Sequence, residues 1–174
     1  LQYHDVTCIS VPLDRLPASQ IGQQFPLLYR LRLVGLNELT NLGSDSFNGL
    51  ITLGSLIITK SKLARIDRET FANTSITATL SSLEISHSQL TEMPSLALGY
   101  LNKLQWISLK GNKIENVRSK DFGDGQLGMI KNLILSDNQI TILEDSTFTS
   151  LNQLERLELD SNLIERIEGL PFPS

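Results

Sequence analysis

The sequence holds one cysteine, Cys8, and two histidines among 174 residues. An internal disulfide framework is therefore excluded within these residues, and a structural zinc site built from four Cys or His ligands is not expected. No apolar run approaches the roughly 18 residues of a membrane-spanning helix. An excess of positive charge is also missing. Lys and Arg number 15 against 19 Asp and Glu, for a net charge of −4 and a pI near 5.2. Nothing in that balance favours nucleic acid or an acidic membrane surface as a partner. The chain opens on Leu1 without a charged-then-apolar leader, so the expectation is a processed chain or a cut piece.

What is present is an ordinary share of apolar (40%) and charged (20%) residues, with few aromatics (6%) and much leucine and isoleucine. Such a composition suits one domain with a real core. The leucines keep a period. Six segments fit one spacing, LxxLxLxxNxLxxLxxxxF, opening at Leu28, Leu53, Leu80, Leu104, Ile130 and Leu154, with steps of 25, 27, 24, 26 and 24 residues. The fourth segment reads Leu104, Ile107, Leu109, Asn112, Ile114, Val117, Phe122. The fifth and sixth repeat it through Asn138 and Phe148, then Asn162 and Phe172. Serine replaces asparagine at Ser61 and Ser88, and Leu98 replaces the third phenylalanine. In the first segment Asn37, Leu39, Leu42 and Phe47 stand one place late, which predicts a bulge after Leu33.

Each slot has a physical task. The LxL core alternates with period two and reads as a short strand with one buried face. Strands from successive segments stack about 4.8 Å apart, giving a parallel sheet along a solenoid. The asparagine amide turns inward, because it can both donate to and accept from backbone groups left open where the strand ends. The phenylalanines, with Leu98, form an apolar spine on the far side. One repeat cannot bury its own face, so the unit is stable only in an array.

These residues resemble the leucine-rich repeat family in its 24-residue, phenylalanine-bearing extracellular form, over Leu28 to Phe172. The resemblance implies an α/β repeat: a curved solenoid with a concave parallel β-sheet and an irregular or short-helical convex side. It divides the chain into an N-terminal cap repeat, residues 1–27, and six repeats, residues 28–174, with no C-terminal cap. Tyr3, Val6, Cys8, Val11, Leu13, Leu16 and Ile21 carry the register one period back, and VTCISVPLDRLP resembles the end of a cysteine-type N-terminal cap. In that family the cysteine pairs upstream. Cys8 is thus a disulfide partner of a residue before Leu1, a free thiol, or a small core residue. An uncovered last coil would expose apolar surface and a strand edge. The expectation is a fragment, a portion of a longer chain, or an edge covered by a partner.

No catalytic constellation emerges. His4 lies in the cap and His87 at a strand end, and Glu158 and Asp160 share a solvated strand face. Gly123-Asp124-Gly125 and Leu42-Gly43-Ser44 lack the strand, helix and lysine context of a phosphate loop and read as turns. No enzyme activity, cofactor or metal is expected. Asn73-Thr74-Ser75 is a glycosylation sequon in the longest segment; with eleven asparagines it is either a chance match or a mark of an extracellular address.

The residues between the inward leucines are predicted to face out from the concave sheet. Among them Tyr29, Arg30, Arg32, Ile57, Glu84, Trp106, Ile134, Arg156 and Glu158 are the candidate partner-binding set. Trp, Tyr and Arg dominate interface hot spots, although lone exposed apolar residues are also ordinary. Arg30 and Arg32 at one end and Glu155, Glu158 and Asp160 at the other predict a charge gradient that would orient a partner or a second copy; a merely solvated face is the plainer alternative. The family resemblance implies a secreted or ectodomain protein binder. A looser likeness to arthropod secreted members, such as the non-catalytic subunit of shrimp luciferase, implies an accessory subunit; the uncovered last coil, not the concave face, would then be its contact with a companion chain.

Overall fold

The computed structural model describes residues 4–123 and 127–172. Tyr3 and the Asp124-Gly125 pair of the expected turn lie outside them. Seven strands form one parallel sheet in which spatial order follows chain order. They are β1 (His4–Ile9), β2 (Leu28–Val34), β3 (Ser55–Thr59), β4 (Ser82–Ser86), β5 (Trp106–Ser108), β6 (Asn132–Ile134) and β7 (Arg156–Glu158). The register is as the repeat requires: Leu31 pairs with Leu56, Leu56 with Leu83, Leu83 with Ile107, Ile107 with Leu133 and Leu133 with Leu157. Val6 and Cys8 pair with Leu31 and Leu33 and so continue both inward columns into β1.

The return path is short and irregular. It contains helix α1 (Ala18–Gln24), the single helical turn α2 (Ser95–Leu98), and 3-10 turns at Ser75–Ala78 and Ser119–Phe122. Two-residue parallel pairs join Asn41–Leu42 to Arg65–Ile66 and Ile142–Leu143 to Arg166–Ile167. This is the expected curved leucine-rich-repeat solenoid, with the parallel sheet on its concave side.

Two ladders run through the interior. Asn112 donates through Nδ2 to the carbonyls of Ile85 (2.7 Å) and Leu109 (2.8 Å) while its Oδ1 accepts from the Leu90 N–H (3.1 Å). Asn138 repeats this with Leu109, Leu135 and the Ile114 N–H, each at 3.0 Å. Asn162 does so with Leu135, Leu159 and the Ile140 N–H. Each amide thus satisfies backbone groups of its own repeat and the one before. Ser61 and Ser88 do part of this with shorter side chains: their hydroxyls bond each other at 2.9 Å, Ser88 donates to the Ser86 carbonyl at 3.2 Å, and Ser61 accepts from the Leu63 N–H at 3.4 Å. On the far side Phe47 stacks on Phe71 (5.3 Å between centroids), and Phe122, Phe148 and Phe172 follow at 5.5 and 6.1 Å. Buried Leu98 fills the place between the two groups of rings.

Three expectations are corrected. The asparagine slot of the first repeat is filled by buried Leu36, whereas Asn37 is exposed. Pairing of β2 with β3 is unbroken from Arg30 to Val34, so no bulge follows Leu33. The ladder on both sides of β2 fixes Leu31 and Leu33, and the extra residue is taken up in the turn between Leu36 and Leu39. A register shift does occur, but at the opposite end of the strand, between His4 and Asp5 in β1. Lastly, Val11 is exposed rather than occupying an interior slot.

Candidate functional site

The strands place three outward rows on the concave face. The first is Asp5, Arg30, Ser55, Ser82, Trp106, Asn132 and Arg156; the second is Thr7, Arg32, Ile57, Glu84, Ser108, Ile134 and Glu158. A third row begins with Ile9 and Val34, which pair in register. Ile9 is 66% exposed. The LxL motif advertises a strand of three residues, but β2, β3 and β4 run on past it and turn one more side chain outward. Strand length was the signal that pattern counting passed over.

Beyond this row every repeat bends through a left-handed residue. Ser10, Gly35, Lys60, His87, Gly111, Asp137 and Ser161 have φ between 49° and 67°. Only two of the seven are glycine, so the turn is imposed by the ladder on either side rather than by residue type. Gly111 also clears space, since a Cβ there would strike the His87 imidazole. Likewise, the Tyr29 ring lies over Gly54, where a side chain would collide with it.

The candidate residues are not equally placed. Trp106 and Ile134 lie on adjacent strands one row apart, and Ile57 lies two strands from Trp106. All three are half-buried, not fully outward as expected, because flanking strands shield them; Ser55 and Ser108 in the same rows are buried. Tyr29 is 36% exposed at the β2 end. The structure therefore brings Trp106 and Ile134 together, sets Arg32, Ile57 and Glu84 side by side on successive strands, and leaves Tyr29 apart from Arg156 and Glu158.

Much of the expected charge gradient is cancelled between neighbours. Arg30 pairs with Asp5 at 3.0 Å, Lys110 with Asp137 at 3.3 Å and Lys131 with Glu155 at 3.1 Å. Arg156 pairs with Glu158, and Asp160 accepts a hydrogen bond from Ser136 at 2.6 Å. Among the described residues Arg32 and Glu84 have no ionic partner; Glu84 accepts only from the Ser86 hydroxyl, at 2.6 Å.

Away from this face, Cys8 is half-buried against the core, and burial pushes its thiol above the usual cysteine range. The thiolate is correspondingly scarce, so the residue is a poor nucleophile. Its sulfur has no disulfide partner among the described residues. His4 packs edge-on against Phe25 and His87 belongs to the rim of β4. Among the described residues no His, Cys, Asp and Glu group could hold a metal ion, and no helix is long and apolar enough to cross a membrane. Asn73 is exposed at a left-handed turn (φ 55°) just beyond the buried Phe71.

A one-dimensional array of strand-turn units with an asparagine ladder, a phenylalanine spine and an open sheet face is a solenoid of the repeat class. A family profile described as "BspA type Leucine rich repeat region (6 copies)" matches residues 31–131, and one described as "Leucine rich repeat" matches residues 129–171. The chain belongs to the leucine-rich repeat family. It is similar to leucine-rich repeat-containing G-protein coupled receptor 5 of Rattus norvegicus, at 31% identity over 82% of this chain and 15% of the receptor. It is also similar to keratocan of Danio rerio, at 34% identity over 49% of this chain and 23% of that protein. A probable glycoprotein hormone G-protein coupled receptor of Anthopleura elegantissima is 32% identical over 48% of this chain and 9% of the receptor. The chain thus spans less than a quarter of each relative. Among solved structures, a chain of the Toll–Spatzle complex of Drosophila superposes with TM-score 0.67 and 26% identity, over 89% of this chain and 25% of that one. A chain of the TLR13–ssRNA13 complex gives 0.57 and 22%, over 88% and 28%, which speaks for the fold alone.

Proposed function

We propose that this chain is a non-enzymatic recognition module that binds a protein partner on its concave face. The observation that carries the reading is the trio Trp106, Ile134 and Ile57. These are large apolar side chains on the outward rows of a sheet whose core is already filled by the inward leucines. Neither packing nor the repeat needs them there. Short hydrogen-bonded strands hold them in fixed rows, so little ordering entropy is lost when a partner docks. Tyr29, Arg30 and Arg32 at one end, Glu84 at the centre, and Arg156 and Glu158 at the other end set orientation. Similarity to a chain of a protein–protein complex, Toll–Spatzle, supports the same reading.

The test is the double variant Trp106→Ala with Ile134→Asp. Its affinity for a partner co-purified from the native source is expected to fall at least about 100-fold, with an unchanged circular dichroism spectrum. Retained affinity in the folded variant refutes concave binding.

The proposed address is extracellular, as a secreted protein or an ectodomain, in keeping with the receptor relatives. The exposed Asn73 turn, with an exposed Ser75 two residues on, is open to N-glycosylation. Secretory expression is expected to add a glycan that an endoglycosidase removes and Asn73→Gln abolishes. An unmodified Asn73 peptide in the secreted protein would withdraw this support.

A second reading rests on a different surface. Leu163, Ile167, Leu170 (79% exposed) and Phe172 (47% exposed) cluster on the last coil, and Leu154, Leu157 and Leu159 beside them are only partly buried. A structural or accessory subunit, of the kind the arthropod resemblance implies, would meet a companion chain there and leave Trp106 uncovered.

A further inference from the structure

Glu84 stands at the centre of the concave sheet, on the middle one of seven strands. Its neighbours differ in size. Ser108 and Ile57 lie directly beside it on the flanking strands, Ser82 and Ser86 precede and follow it on the same face, and Trp106 lies one row away. The serines are small and hydroxylic, while Ile57 and Trp106 are large and apolar. Every other second-row or first-row carboxylate on this sheet is neutralised from within the chain: Asp5 by Arg30 and Glu158 by Arg156. The cation closest in register, Lys110, is held by Asp137. Glu84 has only the Ser86 hydroxyl, and it is half-buried. A carboxylate shielded from water and lacking a cation gains most from a partner that brings one.

We propose that Glu84 and these neighbours are a socket for a lysine or arginine side chain of the protein partner. The proposal rests on the concave-face reading above and adds the chemistry of the partner's central contact. The ammonium or guanidinium meets the Glu84 carboxylate, and the hydroxyl of Ser82, the one of the three serines that is not buried, accepts a remaining N–H. Its methylene stem lies between Ile57 and Trp106, whose indole face also attracts the cation. Arg32, exposed and without an ionic partner among the described residues, stands two strands from Glu84, about 10 Å away at 4.8 Å per strand. It sets the polarity by meeting an acidic group on the same partner segment.

Trp106 is the only tryptophan in the sequence, so its fluorescence reads the socket directly. The probes are two end-blocked tripeptides of leucine, a central residue and leucine, the central residue being arginine in one and its neutral isostere citrulline in the other. The arginine peptide is expected to change Trp106 emission saturably and to bind at least about tenfold more tightly than the citrulline peptide. Glu84→Gln, which keeps the Ser86 bond, erases that preference, while Glu165→Gln, an exposed charge control just before Arg166–Ile167, leaves it. Equal responses to both peptides overturn the socket but leave apolar docking on the face intact. Silence of Trp106 toward both also overturns it, and the double-variant partner test then judges the concave reading separately.

Discussion

Replacing Phe148 by alanine is expected to lower the unfolding free energy by about 3–5 kcal/mol. The ring is fully buried and sits between Phe122 and Phe172, so its loss opens a cavity that neither neighbour can close without leaving its own repeat. A solenoid has no distant contacts to make good such a defect, because each repeat touches only those beside it. The cost should therefore also appear as lost cooperativity, with the coils after residue 148 unfolding ahead of the rest. Phe172→Ala, on a ring already half-exposed, should cost about 2 kcal/mol or less. Urea unfolding of both variants checks the comparison. Equal small losses would mean that the phenylalanine spine does not hold the convex side.

The second large effect is expected at Asn138. Alanine there strands the Ile114 N–H and takes one of two donors from each of the Leu109 and Leu135 carbonyls, which keep only Asn112 and Asn162. At about 1–3 kcal/mol for the one buried N–H left unpaired, and about 0.5–1 kcal/mol for the bond lost at each carbonyl, the net loss should be about 3 kcal/mol. Asn162→Ala should cost less, since that amide is only half-buried. A ladder that spans two repeats also predicts locality: amide exchange should accelerate at Ile114 and spare Leu36, whose repeat has an apolar side chain in the same slot. Uniform acceleration along the chain would contradict this account of the asparagine.

What the sequence made legible was whatever repeats. Asn112, Asn138 and Asn162, the inward leucines and the five phenylalanines recur at a fixed spacing because each does the same work in each coil. The fold class and the outward identity of the candidate residues follow from that spacing. Features that arise between coils were hidden. Asp5 and Arg30, or Lys131 and Glu155, are about 25 residues apart and carry no local mark of pairing, so a charge gradient was expected where the chain largely neutralises itself. Leu36 was missed because an asparagine one place later looked like a better match. The left-handed row eluded pattern reading for a similar reason: Ser10, Lys60, His87 and Asp137 share a backbone angle but no chemistry.

The candidate face was legible as a list and not as an arrangement. Alternation predicted that Ile57, Glu84, Trp106 and Ile134 would point away from the core. It did not predict that flanking strands would half-bury them. Ile9 and Val34 extend the apolar surface at the β1–β2 end, a consequence of strand length rather than of motif.

The most direct measurement is hydroxyl-radical footprinting of the side chains, with and without the co-purified partner. Recognition on the concave face predicts that bound partner protects Trp106 and Ile134 while Leu170 and Phe172 stay as reactive as in the free chain. Protection of Leu170 and Phe172 with Trp106 unchanged would contradict it and assign the contact to the last coil.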